Sequence, residues 1–182
     1  MFKFEELDER TRSYMLAEFL QEWARNPYIS SRLSAAGIDA YPILMEKAIK
    51  QGTESTLAAD LAKPAFWKTS ETYVRSGKSH SRSIDPLVAS EALSISEFNT
   101  WYVRGFARRL IEEGEQFCQV YRAAPAWDPR DECLQHDGRQ CPVIEIYEGH
   151  RARYWPLPGN QNALSIPVGP NCHHTIRRIK KT

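Results

Sequence analysis

Apolar residues along the first sixty positions recur at the three- and four-residue spacing of helices that bury one side. Met15, Leu16, Phe19, Leu20 and Trp23 form one such stripe, predicting a helix over 8–25 with an acidic first turn, broken by Pro27. Asp39 is a candidate cap for a second helix, in which Tyr41, Leu44, Met45, Ala48 and Ile49 share a face and Gly52 marks the end. Thr53 or Ser55 begins a short third helix through Leu57 and Leu61, which stops before Pro64. The pattern then turns polar. Tyr73 and Val74 suggest a short strand, followed by a loop carrying Arg75, Lys78, His80 and Arg82.

The longest periodic stretch follows. Asp85 caps it, Pro86 takes the first helical position, and Leu87, Val88, Leu93, Ile95, Phe98, Tyr102, Phe106 and Leu110 supply a broad apolar face ending at Gly114. Beyond it, the alternation over 117–121 predicts a strand, and the short apolar pieces 142–146 and 176–179 read as strands among irregular loops. The fold class expected is α+β: a helical N-terminal half, a long central helix and a compact strand-and-loop C-terminal unit. It divides into a helical region over 1–80 and a second region over 81–182.

Composition narrows the function. With 24 basic and 23 acidic side chains among 182 residues, the net charge is +1. That balance argues against a protein whose main task is coating nucleic acid. The polar loop after Val74 is conceivable as a phosphate contact, although a solvated loop is the better reading of its composition. No run approaches the ~18 consecutive apolar residues of a membrane span, so no membrane partner is expected. MFKFEELDERTR turns acidic where a signal peptide has its apolar core, so an intracellular product is expected. In that compartment Cys118, Cys133, Cys141 and Cys172 read as reduced thiols or metal ligands.

Three spaced motifs carry a family resemblance over roughly 87–179. Ser96-Glu97, Tyr102 and Gly105 repeat the Thr-Glu, Tyr, Gly spacing of a helix in the Mu F-like phage head morphogenesis family. Glu97 and Tyr102 lie about 500° apart around a helix, so they face different partners. Cys133, followed after three residues by Asp137-Gly138, matches the second cysteine and turn of that family's next motif, with Arg130 where the first cysteine stands. Gly169-Pro170-Asn171-Cys172-His173-His174-Thr175 is similar to its closing His-Pro-Asn-Cys-Arg-Cys-Thr, with His174 in place of the second cysteine. The resemblance implies a non-catalytic minor head protein of a phage or prophage. It would act in capsid assembly, associate with the portal or major capsid protein, possess a capacity for self-association, and be found in the virion and, during assembly, in the host cytoplasm. The tryptophans Trp23, Trp67, Trp101, Trp127 and Trp155 would supply core and subunit contacts.

Two pairs of thiol and imidazole open a different reading. Cys133 with His136, and Cys172 with His174, are candidate zinc ligands, because short spacing lets two donors converge from one turn. Cys141 or His173 can stand in for one member. A zinc-stabilised nucleic-acid-binding module is therefore the alternative function. A small hydrolase is another, drawn either as a nucleophilic triad of Cys172, His136 and Asp137 or as a metal-dependent hydrolase, a nuclease site at His173-His174 beside Asn171 with His150 as a further ligand.

Overall fold

The computed structural model describes residues 2–25, 27–125, 135–154, 159–160, 162–168 and 172–180. Helix α1 (Glu9–Trp23) starts where Asp8 accepts a hydrogen bond from the Thr11 amide at 2.8 Å. It buries Met15 and Phe19 but leaves Leu20 on the surface. Helix α2 (Ala35–Gln51) begins four residues before the expected cap. Ser34 accepts from the Gly37 amide, so Asp39 lies inside the helix and Pro42 is accommodated within it. A methyl at Gly37 would meet the Phe66 carbonyl, which explains glycine in this first turn. Helix α3 (Glu54–Leu61) has the expected Thr53 start, reinforced by Thr56 reaching back to the Thr53 amide. A 3-10 turn (Pro64–Phe66) follows, and Trp67 donates its indole N–H to the Leu61 carbonyl at 2.7 Å.

The stretch expected as a strand and loop is a hairpin of two six-residue strands, β1 (Ser70–Arg75) and β2 (Lys78–Ser83). Neither face is buried, so no hydrophobic alternation betrays it. Its turn is nonetheless written in Ser76-Gly77, whose φ angles of 51° and 74° suit a two-residue hairpin connection.

Helix α4 (Pro86–Glu112) is the spine, 27 residues long, with Asp85 as cap and Pro86 in its first turn. Leu87 and Val88 are more than 60% exposed, so its buried face begins at Ala89 rather than at the expected position. Beyond Gly114, β3 (Phe117–Arg122) forms the centre of a three-stranded antiparallel sheet, flanked by β4 (Gln140–Pro142) and β5 (His174–Arg178). The apolar piece at 142–146 is not a strand: β4 ends at Pro142 and helix α5 (Val143–Tyr154) begins at once. Gly149 lets α5 approach the Leu164 carbonyl, which any Cβ would strike.

One apolar core runs through these elements, from Met15 and Phe19 on α1 through Phe98 and Phe106 on α4 to Ile146 on α5 and Ile176 on β5. The N-terminal segment lies beside the sheet. Lys3 donates its amide to Ala123, Tyr121 donates its hydroxyl to the Lys3 carbonyl at 2.6 Å, and the Phe4 ring packs 4.5 Å from Tyr102. Arg178 ties β5 to Glu6, Glu113 and Glu115, and Arg109 pairs with Asp8 and Glu113.

Candidate functional site

The sheet decides which of the candidate ligands meet. His174 opens β5 opposite Arg122, at the far end of β3 from Cys118. His136 sits in the turn before β4, where Asp137 accepts a hydrogen bond from the Arg122 amide at 3.0 Å. Three of the four predicted ligands therefore gather at one end of the sheet. Cys172 Sγ lies 3.9 Å from His174 Nδ1, and the His136 and His174 rings stand edge to face with centroids 6.1 Å apart. Cys133 lies outside the described residues.

Burial sets the electrostatics. His174 is 1% exposed, and its pKa is lowered, first by desolvation and then by the nearby Arg122. Its neutral form is the one able to bind a metal. His174 Nε2 has no hydrogen-bond partner, and the neighbouring His173 Nδ1 is likewise buried and unmatched. Such orphan atoms are uncommon in folded proteins and call for an explanation. Among the described residues, no three His, Cys, Asp or Glu side chains converge tightly enough to hold a metal ion.

The other candidates disperse. Cys141 pairs with Cys118 across β3 and β4, and both are buried free thiols. Because His174 pairs four residues further along β3, Cys141 is separated from it by about 13 Å of strand and cannot stand in as a ligand. Burial pushes the Cys118 thiol up to about 12, the behaviour of an inert core cysteine. For the hydrolase readings, Asp137 is engaged in supporting the turn, and His150 Nδ1 is bonded to Ser165 Oγ at 2.9 Å on α5. Asn171 lies outside the described residues.

A second polar centre, which the sequence reading missed, lies between the helices. Arg104 on α4 is fully buried, paired with Glu18 at 3.2 Å and with Glu22, and its guanidinium stacks 4.7 Å from the Trp101 ring. Glu18 also accepts from Arg108 and from the Tyr147 hydroxyl. Beside them Glu97 accepts the Tyr41 hydroxyl at 2.9 Å, and desolvation raises its pKa to about 7, with Glu22 adding repulsion. The only sequence signal for this centre was a set of charged residues on helical stripes, the ordinary sign of a solvated face.

The motif residues of α4 do meet different partners. Glu97 reaches α2 through Tyr41, whereas Tyr102 is buried against Phe4 and accepts from the Glu6 amide at 3.4 Å. Gly105 faces α1, where a Cβ would lie 2.5 Å from the Met15 amide nitrogen. No family model, no curated protein and no solved structure matches the chain.

Proposed function

We propose that the protein is a structural minor head protein of a phage or prophage, acting in head assembly in contact with the portal. The observation that carries this reading is where the Mu F-like motif residues fall. Gly105 meets the backbone of α1, Tyr102 meets the N-terminal segment, Asp137-Gly138 closes the turn before β4, and Cys172 leads into β5. These are positions that hold a scaffold together, and a resemblance concentrated there favours a shared architecture over a shared reaction. The partners under this reading are the portal or major capsid protein, or further copies of the chain, in the host cytoplasm during assembly and then in the virion. Purified proheads or virions should contain the protein as a low-copy band. Absence from both, with normal heads from a deletion strain, overturns the proposal.

The grouping of His136, Cys172 and His174, with an unmatched buried imidazole nitrogen, favours a second reading as a zinc-stabilised module. With Cys133 these residues would hold the ion, whose contribution would be to bind the turn before β4 to the start of β5. Zinc content of the purified protein distinguishes the two readings.

A further inference from the structure

We propose that the β1–β2 hairpin is a nucleic-acid-binding ribbon, which lays one basic, aromatic face against a duplex. Directly opposed residues of an antiparallel pair share a face, and successive pairs alternate. The register therefore stacks three rungs on one side: Glu71 with Arg82, Tyr73 with His80, and Arg75 with Lys78. The reverse side carries Ser70 with Ser83, Thr72 with Ser81, and Val74 with Ser79. Every long basic side chain of the hairpin is thus on one face, with hydroxyls behind it.

That face is already organised. Tyr73 and His80 stack with ring centroids 5.4 Å apart, and the Arg82 guanidinium lies 5.2 Å from the Tyr73 ring. At the base, Glu71 is gripped by Arg32 through two 2.7 Å bonds and by Arg82, which fixes the ribbon to the start of α2. At the tip, Arg75 and Lys78 flank the Ser76-Gly77 turn, and among the described residues neither side chain is engaged in an ion pair. The arginines of α4 and β5 contrast with them: Arg104, Arg108, Arg109, Arg177 and Arg178 are all committed to ion pairs.

Charge complementarity points to a polyanion, and shape selects a duplex. An isolated two-stranded hairpin is marginal on its own, and this one buries no face in the core, so its six-residue strands serve something outside the fold. A two-stranded ribbon of this kind fits a major groove about 12 Å wide. Arg and Lys at its tip then reach phosphates. An acidic peptide would instead add along a strand edge, where main-chain groups rather than the basic face make the contacts. The proposal is independent of the head reading, since presence in virions does not depend on duplex binding.

The test is a fluorescence-anisotropy titration of the full chain against a labelled mixed-sequence duplex two helical turns long, at about 50 and 200 mM salt. The unsubstituted protein should bind with a clear salt dependence. Arg75→Gln with Lys78→Gln should weaken binding about tenfold and make the salt slope shallower by roughly two, the loss of two phosphate contacts. Lys47→Gln with Lys50→Gln removes the same charge from exposed positions on α2 and should leave binding unchanged. No binding by the unsubstituted protein, equal weakening by both double variants, tighter binding to the single strand, or displacement by polyglutamate as readily as by duplex would each overturn it.

Discussion

Gly105 offers the sharpest test of how α1 and α4 are joined. A Cβ built there would lie 2.5 Å from Met15 N, 2.7 Å from its Cα and 2.8 Å from its Cγ. Two of these atoms are backbone, so no rotamer change on α1 relieves the contact. Alanine is intrinsically the better helix former by about 1 kcal/mol, which works in favour of the variant. Overpacking a closed core costs about 1–3 kcal/mol, and the upper part of that range applies where the obstacle is main chain. Gly105→Ala should therefore lose about 1–2 kcal/mol net. With a urea slope of about 2 kcal/mol/M for a chain of this size, the unfolding midpoint should fall by roughly 0.5–1 M. Gly105→Leu should fall further. Trimming Met15 to alanine removes only the Cγ contact, so Met15→Ala combined with Gly105→Ala should recover almost nothing. An alanine variant as stable as the unsubstituted protein, or a double variant that rescues it, would refute the backbone contact.

Three other outcomes follow from the polar centres. Arg104→Ala should cost about 3–5 kcal/mol by leaving Glu18 and Glu22 without their buried counter-charge, whereas Arg108→Ala, at a partly exposed position, should cost under about 1 kcal/mol; equal losses in urea unfolding would contradict the assignment. Glu97 is raised from 4.5 to about 7 on folding, so between those values the folded chain holds the extra proton. Its favourable contribution is complete below pH 4.5 and is lost as pH rises through 7, and Glu97→Gln should flatten the dependence of the urea midpoint across that window; an unchanged slope would assign the pH dependence elsewhere. The zinc reading requires about one equivalent of zinc, a melting temperature lowered by chelator, and loss of metal from Cys133→Ser and Cys172→Ser but not Cys118→Ser. A metal-free protein indifferent to chelator eliminates that reading.

Elements with one wet and one dry side were legible in the sequence. Asp8 and Asp85 act as caps, Pro86 sits in the first turn, and the Met15–Phe19 and Phe98–Leu110 stripes are buried as their spacing demands. The hairpin was read only in part because both its faces meet solvent and alternation has nothing to record. Helix α5 was missed because Val143, Ile144 and Ile146 resemble a strand, and only Val143 and Ile146 turn inward. Asp39 stands just ahead of the apolar stripe that begins at Tyr41 and so reads as a cap, while Ser34 does that work and Pro42 is carried within α2. At the candidate site, short spacing brought Cys172 to His174, and the turn at Asp137 brought His136 alongside. Sequence could not exclude Cys141, because its distance from His174 is set by strand register.

Strand β5 has a consequence for biosynthesis. β3 has a partner on each side, and one of them, β5, is joined only after β3 has been waiting for some fifty residues of synthesis. Until it arrives, the backbone groups from Cys118 to Arg122 form an open edge, a template for pairing with other chains. Contacts spanning 172 residues, such as Arg177 with Glu5 and Arg178 with Glu6, form only once β5 is present and make folding strongly non-local. A nascent chain stalled before His174 is thus not a smaller version of the protein but an aggregation-prone intermediate, and the moment of hazard is fixed by topology rather than by final stability.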